Sequence, residues 1–210
     1  MRHTFAFIFI ISCSTCWSQV DSSELQLQRT YLNAYRYLST FKYFVTDSIG
    51  MKYFKRTPLR NTTPAASAFK LIVSNDPMPA CFNEFYGIIS NSNACNPIKV
   101  IGNVLSDSLD AIDKVLNNTK SSRLFNWPDS LTQLLKPNFI VFFSKPFRNI
   151  CSAELFIWYN PSAPNIIKMF GKFNQKYHEY ASYNSSLRFL FCTDPDGNIV
   201  PIVIDEISYN

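Results

Sequence analysis

Four short, densely apolar runs in the last third of the chain decide what it can fold into. Residues 138–144 contain Phe-Ile-Val-Phe-Phe, and Glu154 leads into Leu-Phe-Ile-Trp-Tyr. Residues 187–192 read Leu-Arg-Phe-Leu-Phe-Cys, and an Ile- and Val-rich run spans 199–207. Each is too short for a typical helix and rich in β-branched and aromatic residues, so each predicts a strand. Asp194-Pro-Asp-Gly197 separates the last two. That is turn chemistry, because glycine reaches positive φ without strain. Strands in sequence joined by tight turns predict an antiparallel meander.

The first half has a different period. From Asp21 to about Val45, Leu25, Leu32, Tyr35, Leu38, Phe41 and Val45 recur at helical intervals, and Asp21 with Glu24 has capping-box spacing. Residues 48–64 are polar, basic and proline-containing and predict a loop; 68–73 predicts a short strand. Ile98, Ile101, Leu105, Leu109, Ile112 and Leu116 share a helical face, with Gly102 favouring a start at Ser106 and Asn117-Asn118 an end. A short helix is expected over Asp129 to Leu135, and helical spacing recurs from Ile166 to Tyr180 around Gly171. The fold class expected is therefore α+β: N-terminal amphipathic helices, then an antiparallel β-meander packed against them.

The run Phe142-Phe-Ser-Lys-Pro-Phe147, then Ala153 to Tyr159, then Leu187 to Ile202 around Asp196-Gly197-Asn198 resembles the C-terminal hairpins of small exported bacterial proteins of unknown function. The resemblance covers about a third of the chain. It implies export and a hairpin fold, and no activity.

The N-terminus points the same way. Arg2 precedes an uncharged apolar stretch, Phe5 to Ile11, and then small and polar residues. This is the order of a cleavable signal peptide over 1–18, with the cut between Ser18 and Gln19. The apolar stretch is far below the roughly 20 residues of a spanning helix. Ile10-Ile11-Ser12-Cys13 also fits a lipobox, which would make Cys13 the acylated first residue of an outer-membrane-anchored lipoprotein. Residues 19–210 then form a single α+β domain, exported to the periplasm or beyond, with no transmembrane span.

Cleavage leaves four of the six cysteines: Cys81, Cys95, Cys151 and Cys192. In an oxidising compartment an even count predicts disulfides, with Cys81–Cys95 and Cys151–Cys192 the local pairing. Buried thiols are the competing reading.

Catalytic constellations are scarce. His178 is the one histidine left after cleavage, and no nucleophile-elbow or phosphate-binding glycine sequence is present. Four scattered cysteines and one histidine make a poor zinc set. Asp194, Asp196 and Asn198 alternate as calcium ligands would, but Gly197 sits where a hairpin wants it and not where a calcium loop does. Asp107, Asp110 and Asp113 read as a solvated helix face. Glu154 enters an apolar strand and is the one acid a carboxylate-based hydrolase would use, with a second acid; a solvent-facing strand position is the plainer reading. A net charge of +5, or +4 without Arg2, is too mild for a nucleic-acid binder; Lys52, Lys55, Arg56 and Arg60 are the densest basic stretch and read as a solvated loop, with a site for an anionic polymer or a lipid headgroup as the other reading. The expectation is a non-catalytic binding or envelope component with no cofactor or metal, and an envelope protein is a possible partner; an exported hydrolase and a lipid-anchored accessory protein are the alternatives.

Overall fold

The computed structural model describes residues 22–64, 69–85, 106–119, 125, 127–134, 136–147, 150–158, 176–182, 185–194 and 196–208. The signal segment, Cys13, Ser18, Gln19, Asp21, Cys95 and Gly171 lie outside them.

Helices α1 (Ser22–Ser39), α2 (Tyr43–Thr46) and α3 (Ser48–Arg56) come first. Strand β1 (Leu71–Val73) and a 3-10 turn (Phe82–Phe85) follow, then α4 (Ser106–Asn118) and α5 (Asp129–Thr132). The C-terminal part holds β2 (Phe139–Phe143), β3 (Ile150–Ile157), α6 (Tyr177–Ala181), β4 (Ser186–Thr193) and β5 (Ile199–Ile207). The sheet runs β1-β2-β3-β4-β5. Strands β2 to β5 form the expected antiparallel meander, and β1 adds in parallel to β2.

Both faces of this sheet are covered. One carries Phe139, Val141, Leu155, Phe189 and Phe191 against Tyr31 and Leu38 of α1, Tyr43 and Phe44 of α2, and Phe41 between them. The other carries Ile140, Phe142, Phe156 and Leu190 against Met78, Phe82, Phe85, Leu109 and Tyr180. Double coverage explains why β2 and β4 read as continuous apolar runs instead of alternating ones.

Two expectations fail locally. The first helix stops at Ser39 because Phe41 takes φ 52°, which turns its ring into the core against Phe69 and Phe139. Its buried face is also rotated: Tyr31, Ala34 and Leu38 are inside, while Leu25 and Val45 are exposed. The segment expected as a loop from residue 48 is instead helix α3. Its start is set by Asp47, whose Oδ1 accepts from the N–H groups of Ile49 and Gly50 at 2.9 Å each. Gly50, Tyr53, Phe54 and Thr57 then give it a buried face at helical spacing.

The last hairpin docks onto α1. Gly197 turns at φ 81°, and Asp194 accepts from the backbone N–H groups of Asp196 and Asn198. Asn33 donates to the Gly197 carbonyl at 2.8 Å. A Cβ at Gly197 would come within 2.7 Å of the Arg29 Cβ, so glycine is needed for closeness as well as for the turn.

Candidate functional site

Polar residues cluster in the middle of the second sheet face. Strand register sets Glu154 opposite Arg188, and Arg188 opposite Asp205. Period-two alternation puts these three on the side of Ile150, Phe156 and Leu190. Glu154 is 0% exposed, correcting the solvent-facing position expected of it. The correction has a simple cause: this face is covered too, so no position on β3 faces solvent freely.

Burying a carboxylate is costly unless donors replace water. Here they do. The Tyr177 hydroxyl donates to Glu154 Oε2 at 2.8 Å, and Arg188 donates to the same oxygen from Nε at 3.2 Å and Nη2 at 3.1 Å. The Ser186 hydroxyl donates to Oε1. Arg188 Nη1 reaches outward to Glu84, whose side chain is 59% exposed. One guanidinium thus joins an inner and an outer carboxylate.

The outer partner comes from a strap, residues 76–85, tied at several points. Asp113 of α4 accepts from the N–H groups of Phe82 and Asn83 at 3.0 Å each. Asn117 bonds the backbone N–H and carbonyl of Ala80. Asp76 accepts from the Tyr177 N–H at 2.8 Å. Asp113 is therefore buried against the strap, not on the solvated face expected for it; Asp110 is exposed as expected. Burial raises the Asp113 carboxyl, with the two backbone N–H groups opposing.

Cys81 lies at the cluster's edge, its Sγ 3.8 Å from the Ser152 hydroxyl. Burial pushes its thiol up to about 12, against the pull of Arg188. Cys81, Cys151 and Cys192 carry no disulfide. The expected Cys151–Cys192 bridge is excluded by register: Cys151 pairs with Phe191 and Cys192 with Ile150. The two side chains therefore point to opposite faces of the sheet. Cys81's expected partner, Cys95, lies outside the described residues. His178 is exposed on α6. Asp194, Asp196 and Asn198 make the hairpin turn by bonding one another. Among the described residues no group of three His, Cys, Asp or Glu is placed to hold a metal ion, and no helix is long and apolar enough to cross a membrane.

A surface cleft of about 420 Å³ lies between Pro77, Met78, Pro79, Leu116, Asn117 and Lys145. Its cation is engaged internally: Lys145 Nζ donates to the Leu116 carbonyl at 2.9 Å and to Thr119, at the C-terminal end of α4. Such a lysine complements the helix dipole.

Glu154 was singled out from the sequence; Arg188, Ser186, Tyr177 and Glu84 were not. The signal that finds Arg188 is its own isolation. Glu154 and Arg188 are lone, opposite charges within two otherwise apolar strands, and buried charges occur in pairs. Comparison with family models, curated proteins and solved structures finds no match for the chain.

Proposed function

We propose that this chain is an exported, non-catalytic component that works by binding, in or at the cell envelope. The observation that carries the non-catalytic part is the saturation of Glu154. Both of its oxygens accept from protein donors, and Arg188 stands between it and Glu84. A general acid or nucleophile needs an oxygen within reach of substrate, and a hydrolytic carboxylate pair must face across a shared space. The arrangement suits a structural ion cluster instead. Export rests on the N-terminal order of Arg2, the apolar stretch and the small residues before Gln19.

Purified protein should give no turnover above blank on chromogenic glycosides and esters. Turnover that disappears in Glu154→Gln, with the fold retained by circular dichroism, would overturn the non-catalytic reading. Mass spectrometry of the exported chain should find Gln19 first. A diacylated Cys13 would replace simple secretion with lipid anchoring, and an uncut Met1 would remove the export reading.

A further inference from the structure

The net charge of this chain falls in one stretch of its sequence. Between Arg36 and Arg60 there are six cations (Arg36, Lys42, Lys52, Lys55, Arg56 and Arg60) and one acid, Asp47. This stretch alone carries +5, the net charge of the entire chain, so all remaining residues balance to zero. All six cations are exposed. Their local compensation comes from Glu206 of β5, 3.6 Å from Lys52 and 2.7 Å from Arg56. Lys42, Lys55 and Arg60 form no ion pair among the described residues.

The same stretch exposes apolar side chains as well. Four large ones are exposed among the described residues: Val45 at 51% and Met51 at 37% lie here, Leu25 at 42% lies on α1 and Val115 at 65% on α4. On α3 the exposed positions are 48, 51, 52, 55 and 56, so Met51 shares one helical face with Lys52, Lys55 and Arg56. The opposite face, with Gly50, Tyr53 and Phe54, is fixed in the core.

We propose that the surface of α2 and α3 docks on an anionic lipid bilayer, its cations on the headgroups and Met51 and Val45 in the interfacial layer. Cations alone would suit any polyanion. The exposed apolar side chains among them favour a bilayer, which offers an apolar layer beneath its charge. A single-stranded nucleic acid would instead favour exposed rings for stacking, and Tyr43, Phe44, Tyr53 and Phe54 are all buried. The inference deepens the envelope reading and rests on it for where such a surface would be met.

The test is co-sedimentation of the exported, purified chain with vesicles of phosphatidylcholine alone or with added phosphatidylglycerol. Binding should require phosphatidylglycerol and weaken with salt. Each cation near an anionic surface is worth about a fivefold change, so Lys52→Ala with Lys55→Ala, both on the exposed face of α3, should bind about twenty-five-fold more weakly. Met51→Ser leaves the charge unchanged and should still weaken binding at least twofold. Both variants alter exposed positions, and circular dichroism checks that they fold. Equal binding to both vesicle types, no binding to either, or loss of Met51 without effect would each overturn the proposal. Binding to heparin or an oligonucleotide but not to vesicles would assign the surface to a polyanion instead. Failure here leaves the non-catalytic reading standing, since that is decided by turnover.

Discussion

Glu154 and Arg188 are direct cross-strand neighbours on β3 and β4, and each is the only charged residue in its strand. The guanidinium donates twice to one carboxylate oxygen, at 3.1 and 3.2 Å. Removing one member of a buried pair leaves the other without compensation and typically costs about 3–5 kcal/mol. Arg188→Met should therefore lower the urea midpoint strongly, and Glu154→Leu likewise. The double substitution should recover much of the loss, because apolar replacement of both members is often neutral or better. Equal losses in the double and the sum of the singles would show that the pair is not coupled.

Gly50 reverses an ordinary rule. Glycine to alanine inside a helix usually stabilises by about 1 kcal/mol. Here an added Cβ would press on the Tyr43 carbonyl, where α2 and α3 meet. Gly50→Ala should destabilise, measured by thermal melting. A higher melting temperature would mean that α2 yields more readily than its packing suggests.

The thiols should be silent. Cys151 is fully buried and its thiol is pushed up to about 12 by burial, as is Cys81. At neutral pH almost no thiolate forms at either, and thiolate is the reactive species. Iodoacetamide should label Cys81 and Cys151 only after unfolding. Prompt labelling of the folded protein, read by peptide mass spectrometry, would contradict the burial of both.

Two aspartates pull in opposite directions as pH falls. Asp113 is raised by burial, so its folded form takes up a proton before the unfolded chain does. Acidification through its raised value then adds stability, down to the unfolded value near about 3.9. Asp194 is lowered, by hydrogen bonds from Asn198 first. Its contribution is present above about 3.9 and is lost as pH falls through the lowered value. Relative to Asp113→Asn, the native chain should gain stability between pH 7 and 4; relative to Asp194→Ala, its advantage should shrink only below that range. Urea midpoints across pH measure both, and a reversed slope for either would refute its assignment.

The sheet was legible because its runs are short, apolar and separated by turn residues; β5 and the Asp194–Gly197 turn fall where the residues place them. The second face was less legible. A strand buried on both sides loses its alternation, so Glu154 and Arg188 stand out only as lone opposite charges, and that they face one another directly emerges from the register. Helix α3 hid behind its basic residues, because Lys52, Lys55 and Arg56 occupy the outer face and obscure the Gly50, Tyr53, Phe54 spacing. The Cys151–Cys192 pairing failed for a reason outside composition. An even count says nothing of faces, and one step of register separates Cys151 from Cys192 by the thickness of the sheet.

The Asn33–Gly197 contact joins the start of the chain to its last hairpin, 164 residues away in sequence. Helix α1 therefore finds its final docking site only when nearly the whole polypeptide is present. Synthesis order and packing order are opposed. A chain emerging N-terminus first can cover α1's apolar face only in part, with Tyr31 and Tyr35 against Trp127 and Phe143, until β4 and β5 arrive, which favours folding after release over folding during translation.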